Sequence, residues 1–187
     1  MKKTNKLVWI VSMGVLVLGV IFSVFRIHTI NKQYPQTIKK NIARGTECEI
    51  GSTIKMSVLD ARWLNGEELQ EEYEGIWYVD NPMDYQAVEV TVNICNFSEE
   101  NQKVELFKTY IESEKYDWNG CDADLFMAKN NMPLELELKA GEEMRCVLPY
   151  TFLKENYLES DWTHLSQIPY FLVRERYPQK TKWMISN

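Results

Sequence analysis

One short acidic stretch of this 187-residue chain has the residue types and spacing to bind a metal ion. The sequence DWNGCDAD offers hard oxygen ligands on a turn, which suit Ca²⁺. It is not an EF-hand, because its glycine stands at the fourth position rather than the sixth and no glutamate closes the loop at the twelfth. A turn of this composition also forms without a metal. The candidate calcium ligands are Asp117, Asn119, Asp122 and Asp124, and no cofactor is expected.

Four cysteines are the second group that could carry chemistry: Cys48, Cys95, Cys121 and Cys146. Outside the cytoplasm they could form one or two disulfides, and two disulfides allow three pairings. Small buried residues that keep free thiols are the alternative. No C-x-x-C pair is present, which excludes a compact zinc knuckle. The spacing leaves both disulfides and free thiols open.

Motifs for catalysis are missing from the sequence. It contains two histidines, His28 and His164, and no H-E-x-x-H, G-x-S-x-G or P-loop sequence. Acidic residues are numerous, but nothing singles out a pair spaced for glycoside hydrolysis. We therefore expect that the protein is not an enzyme.

Residues 7–25, LVWIVSMGVLVLGVIFSVF, contain no charged residue and no proline. As a helix they would be about 28 Å long, close to the hydrocarbon thickness of a bilayer. Three lysines precede them and no A-x-A-like site follows, which favours an uncleaved single-pass anchor over a cleaved signal peptide. We predict a cell-membrane protein in which residues 1–6 are a cytoplasmic tail and the C-terminal domain is extracellular. Gly19 and Ser23 form a small-xxx-small pair, which is typical of helix pairing.

Charge divides the chain near residue 47. The first 46 residues carry eight Lys and Arg and no acidic residue, whereas residues 47–187 carry 13 basic and 27 acidic residues, a formal net charge of −14. The basic segment suits an anionic membrane surface. The acidic domain would be repelled by nucleic acid, so nucleic acid is not expected as a partner. We predict residues 26–46 as a stalk and residues 47–187 as one domain, which is long enough for a core.

Most of the domain has the pattern of short strands joined by turns. Val88, Val90, Val92 and Ile94 alternate with polar residues, so they are expected to face the core. The acidic residues 67–74 are predicted as an exposed loop after an Asn-Gly turn, with one helical turn as the alternative for part of it. A short helix capped by Ser160 or Asp161 is predicted at residues 158–166, and further strands at residues 54–63, 104–111, 134–138, 144–152, 170–174 and 182–185. This pattern predicts an antiparallel sandwich or barrel.

Four motifs follow one another in the domain. They are GSTI (residues 51–54), a V-x-V-x-V strand that ends in Asn96, FKTYIESEKY (residues 107–116) and LELKAGE (residues 136–142). Their order resembles the uncharacterised immunoglobulin-like (telokin-like) extracytoplasmic domains of membrane-anchored proteins and lipoproteins of Gram-positive bacteria. The resemblance implies an all-β fold, an immunoglobulin-like antiparallel β-sandwich, preceded here by a single N-terminal transmembrane helix. It implies no activity and supplies no catalytic residues.

The apolar segment, the acidic domain and the family resemblance together predict a membrane-anchored extracytoplasmic binding or scaffold module. Its expected partners are the membrane, through residues 7–25, and a protein of the cell envelope. An accessory or sensor subunit that acts through its transmembrane helix is the first alternative. A cell-envelope hydrolase is the second.

Overall fold

The computed structural model describes residues 2–76, 82–116, 119–174 and 178–186, with side chains from residue 9 onward in the N-terminal helix. The chain divides into two compact units, Met1–Ile38 and Lys39–Asn187.

The first unit is built on one long helix, α1 (Lys2–Gln33). Its large apolar side chains are exposed from Trp9 to Ile30, and the part Trp9–Gln33 is long and apolar enough to cross a membrane. The Ser23 hydroxyl donates to the Gly19 carbonyl at 2.8 Å, so this polar group is satisfied inside the helix. The helix continues past the predicted residues 7–25 into the segment predicted as a stalk.

Two sheets make up most of the second unit. The first has the order β1-β11-β10-β6-β7, the second has the order β2-β3-β4-β9, and β5 pairs with β8 in a separate two-stranded ladder. All pairings in the second sheet are antiparallel. The strands are β1 (Ile38–Ile42), β2 (Cys48–Ile50), β3 (Ile54–Leu64), β4 (Tyr85–Asn96), β5 (Gln102–Glu105), β6 (Tyr110–Ser113), β7 (Asn119–Gly120), β8 (Glu135–Leu138), β9 (Glu143–Leu153), β10 (Tyr170–Val173) and β11 (Gln179–Met184).

The core is formed by the alternating face that the sequence predicts. Val88, Val90, Val92 and Ile94 of β4 are all buried, and they belong to one apolar cluster with residues of β9, β10 and β11. Trp183 of β11 is fully buried in this cluster. The predicted immunoglobulin-like antiparallel β-sandwich is confirmed.

The prediction of an exposed loop at residues 67–74 is wrong, because a helix, α2 (Gly66–Glu72), forms there. Asn65 caps it by accepting the backbone N–H groups of Glu67 and Glu68, and the Glu68 side chain accepts the N–H of Asn65 in return. Leu69 and Tyr73, one helical turn apart, are buried against the outer face of the second sheet. The capping box and this apolar pair outweigh the acidic composition.

Three further details differ from the sequence prediction. The predicted strand at residues 104–111 is interrupted by a 3-10 turn, Leu106–Lys108. The helix near residue 160 is a single turn, α4 (Glu159–Trp162), whose N-cap is Leu158 without a side-chain hydrogen bond, so the predicted caps are wrong. A helix that was not predicted, α3 (Ala123–Asn130), begins at the N-cap Asp122.

Asn96, the last residue of β4, joins two turns through its side chain. Its side-chain nitrogen donates to the carbonyls of Glu100, Leu138 and Lys139 at 2.8 to 3.1 Å. Its side-chain oxygen accepts the backbone N–H and the hydroxyl of Ser98. The side chain is fully buried, and every polar atom it has is therefore used inside the protein.

The outer edge of β9 is covered by the segment that carries β7 and α3. The Asn130 amide binds the backbone of Val147 twice, donating to its carbonyl at 2.8 Å and accepting its N–H at 2.9 Å. Two residues further along, the Pro149 carbonyl accepts the N–H of Asp122 at 2.9 Å. Thr151 has the next carbonyl of β9 that points away from β4, and this carbonyl accepts a hydrogen bond from the Asn119 side chain. These contacts occupy the positions at which another strand would pair.

Gly66→Ala is expected to destabilise the domain, although glycine-to-alanine changes usually stabilise helices. A Cβ atom at this position would overlap the backbone carbonyl of Pro82. Overpacking of this kind costs about 1–3 kcal/mol, more than the gain in helix propensity of about 1 kcal/mol. Urea unfolding of the full-length protein would measure the difference. Gly120→Ala is the control, because nothing lies within 4 Å of its added Cβ, and an equal effect of both changes would contradict the packing argument.

Candidate functional site

A concave site of about 400 Å³ lies where β9 ends. We call it the tyrosine pocket. The 3-10 turn that follows β9 forms one wall, and Tyr116 and Asn119 lie on the other side. The pocket is lined by Tyr116, Asn119, Thr151, Phe152, Leu153, Asn156 and Tyr157.

Two tyrosine rings define the shape of this pocket. The ring centroids of Tyr116 and Tyr157 are 4.5 Å apart and their planes are tilted by 57°. Phe152 meets Tyr157 edge-on at 5.9 Å, and Trp162 of α4 lies 6.1 Å from the same ring. Aromatic contacts of this geometry are favourable, so the two tyrosines are held in place before any ligand arrives.

The hydroxyl group of Tyr116 is held by a charged pair, Asp161 and Lys115. Asp161 of α4 accepts the Tyr116 hydroxyl and the Lys115 ammonium group, the latter at 2.5 Å. The hydrogen bond from Lys115, followed by that from Tyr116, holds the pKa of Asp161 below its usual range. The negative charge of the Asp161 carboxylate is therefore balanced by the Lys115 ammonium group.

The residues predicted to bind calcium have separate tasks in the described structure. Asp122 caps α3 by accepting the Leu125 N–H at 3.1 Å, and it accepts the Thr151 hydroxyl at 3.1 Å. Asn119 lines the tyrosine pocket, and Asp124 is exposed on α3. Asp117 lies outside the described residues, so the calcium site stays a prediction. Among the residues the structure does describe, no group of three or more His, Cys, Asp or Glu side chains could hold a metal ion.

All four cysteines have free thiols in the structure. Cys48 and Cys146 are buried, and Cys95 and Cys121 are partly buried. Burial raises the pKa of Cys146 to about 12. A thiol that resists ionisation is a poor nucleophile, so Cys146 serves as a small core residue. A disulfide between any two of them stays a prediction.

A second polar cluster lies under α2 and α3, on the outer face of the second sheet. The Glu89 carboxylate accepts the Tyr73 hydroxyl at 2.5 Å and lies 3.0 Å from the Lys129 ammonium group. Lys129 also pairs with Glu72, which in turn bonds Arg62 at 3.0 Å. Burial and the bond to Glu89 raise the pKa of Tyr73. Because Glu89 is only 6% exposed, this cluster fastens the two helices to the sheet and offers little surface to a ligand.

The tyrosine pocket was not predicted from the sequence. Tyr116 entered the sequence prediction only as the last residue of the motif at residues 107–116, and Tyr157 was not singled out. The two residues lie far apart in the chain and meet only because β9 brings them together. Aromatic residues are numerous in the sequence, but eight of the 19 that the structure describes are buried in the domain, so their number does not point to a pocket.

The family assignment rests on the sequence of nearly the whole chain. Residues 30–181 match a family described as a domain of unknown function, DUF5028. The chain belongs to this family. The match confirms the resemblance to an uncharacterised family. The matched region begins at residue 30, before the domain boundary that was predicted at residue 47. No curated protein matches the chain by sequence.

Several solved structures are similar to this DUF5028 chain. An uncharacterised β-sandwich protein from Clostridium difficile 630 has 8% identity and a TM-score of 0.48, over 81% of this chain and 97% of that one. A functionally unknown protein from Listeria monocytogenes has 10% identity and a TM-score of 0.48, over 70% and 69%. A conserved hypothetical protein from Bacillus anthracis has 16% identity and a TM-score of 0.47, over 77% and 94%.

Proposed function

We propose that this DUF5028 protein is a membrane-anchored binding module whose sandwich domain lies outside the cytoplasm, and that it is not an enzyme. The observation that carries the proposal is the tyrosine pocket, whose volume of about 400 Å³ falls in the range of ligand sites. Tyrosine and asparagine, which line this pocket, are enriched in the binding loops of antibodies.

The N-terminal unit supports the membrane part of the proposal. Its helix contains no charged residue from Trp9 to Phe25, where the large apolar side chains are exposed, and three lysines precede the apolar run. The opposite charges of the first 46 residues and the remaining domain favour a basic segment at an anionic membrane and an acidic domain in solvent.

The lining of the tyrosine pocket favours binding over catalysis. Its polar groups are phenols, amides and the Thr151 hydroxyl, which is already bonded to Asp122. The contact with Asp161 raises the pKa of Tyr116, so this phenol stays protonated and is a poor nucleophile. These groups are suited to hold a ligand without reacting with it.

Protease accessibility is expected to place the domain outside. Protease added to intact cells stripped of their wall should digest the domain, while an N-terminal tag next to Lys2 and Lys3 stays protected. Rupture of the membrane should then expose the tag. A domain that resists protease until the membrane is ruptured would reverse the proposed orientation. Mass spectrometry that finds a mature start after Ser23 would show a cleaved signal instead of an anchor.

Capture from solubilised cell envelope tests the binding role. The full-length protein should retain a specific envelope component, and Tyr157→Ala should abolish this retention. Phe107→Ala is the matched control, because Phe107 is an exposed aromatic residue that precedes β6 whereas Tyr116 follows it. Retention that is insensitive to Tyr157→Ala but lost on Gly19→Leu would support the accessory-subunit alternative and contradict the proposal.

A further inference from the structure

We infer that the tyrosine pocket binds a neutral saccharide. The inference rests on the proposed function and gives the binding module its ligand class. Three features of the pocket point to this chemistry: two aromatic rings, amide groups with spare hydrogen-bonding capacity, and the absence of charge among the lining residues that the structure describes.

The ring faces match the apolar side of a sugar. A pyranose ring presents a face of C–H groups that packs on an aromatic ring, as other apolar surfaces do. Tyr116 and Tyr157 are both partly exposed, and their tilt of 57° gives two differently oriented faces in one concavity. The contacts of Tyr157 with Phe152 and Trp162 fix its ring, so little ordering is needed when a ligand binds.

The amide groups match the hydroxyl groups of a sugar. An amide side chain both donates and accepts hydrogen bonds, as a sugar hydroxyl does. The Asn156 side chain is exposed and has no hydrogen-bond partner among the described residues. Asn119 uses its nitrogen on the Thr151 carbonyl, which leaves its side-chain oxygen as an acceptor for a ligand within the described part of the site.

The charge pattern favours a neutral ligand. Of the described residues that line the pocket, none is charged. The adjacent Asp161 carboxylate is paired with Lys115, so it offers no free charge to a cation. An anionic ligand would approach a domain with a formal net charge of −14 and would be repelled.

An extended peptide fits this end of the sandwich less well. Peptides often bind by adding a strand to an open sheet edge. The edge of β9 that leads to the pocket is occupied at Val147, Pro149 and Thr151 by contacts within the domain. A peptide would therefore have to bind through side chains alone.

Titration calorimetry with neutral trisaccharides tests the inference. The full-length protein, held in a detergent without a sugar head group, would be titrated with maltotriose, cellotriose and tri-N-acetylchitotriose. At least one should bind. Tyr157→Ala should weaken that binding about tenfold or more, as truncation of a central aromatic contact does, whereas Tyr157→Phe should keep it within about twofold because the ring remains.

Two further variants separate binding from folding. Asn156 is exposed and supports no other residue by a hydrogen bond in the described structure, so Asn156→Ala should weaken saccharide binding without lowering the melting temperature. Phe107→Ala should leave the affinity unchanged. Binding that neither Tyr157→Ala nor Asn156→Ala affects would overturn the assignment of the site.

The outcomes also distinguish this inference from the proposed function. If no trisaccharide binds at concentrations up to about 10 mM, the saccharide inference is overturned. If the protein nevertheless retains an envelope protein in a manner that requires Tyr157, the binding module stands with a protein ligand. If it retains nothing, both proposals fail.

Discussion

Asn96→Asp is expected to unfold the domain or to lower its stability by about 4 kcal/mol or more. The change alters the side chain's shape very little, but it replaces a donor by an acceptor. The Asn96 nitrogen faces three backbone carbonyls within 3.1 Å, and an aspartate oxygen there would face the same carbonyls with a negative charge. Since the position is fully buried, water cannot compensate. A loss of this size is comparable with the whole stability of a small domain.

Asn101→Asp provides the matched control for Asn96→Asp. Asn101 is exposed and makes one side-chain bond, to Glu137, so the same chemical change should cost less than about 1 kcal/mol. Thermal unfolding of the full-length protein, followed by tryptophan fluorescence, would compare the two. Equal melting temperatures for Asn96→Asp and the wild type would show that the three carbonyls have other partners.

Val90→Asp should destabilise the domain as much as Asn96→Asp, for a different reason. Val90 is fully buried in the apolar core, and a carboxylate there has no partner, which costs several kcal/mol, about 4 or more. The neighbouring Thr91 points to the opposite face of β4 and is partly exposed. Thr91→Asp should therefore cost much less.

Urea unfolding of both variants would measure this difference between the two faces of β4. A small cost for Val90→Asp, or an equal cost for both changes, would contradict the register in which Val90 pairs with Leu148 of β9.

The strands of the core were predictable because their side chains alternate with a period of two. Val88 to Ile94 face a single core, so every second residue is apolar and the pattern is unambiguous. The outer face of the same strand was less predictable. Glutamate is usually a surface residue, yet Glu89 is buried under Tyr73 and Lys129, which approach it from elements distant in sequence.

Local signals that compete are the main cause of the errors. Residues 66–72 combine an acidic composition, which suggests a loop, with Asn65 and Glu68 in capping positions, which specify a helix. Spacing also groups Asp122 and Asn119 as calcium ligands, which stays a prediction. In the fold Asp122 caps α3, and the Asn119 side chain donates to the Thr151 carbonyl. The pocket formed by Tyr116 and Tyr157 could not be predicted, since no spacing rule connects residues that meet only in the folded domain.

The amide of Asn130 also bears on the crowding of domains that the proposed membrane anchor would cause. Tethered domains share a thin layer, which raises their effective concentration. Open sheet edges in such a layer act as templates on which copies polymerise. Asn130 occupies both backbone groups of Val147, and Pro149 has no N–H to offer. At this edge the domain is therefore protected against fibre-like growth at the high surface density that an anchor would create.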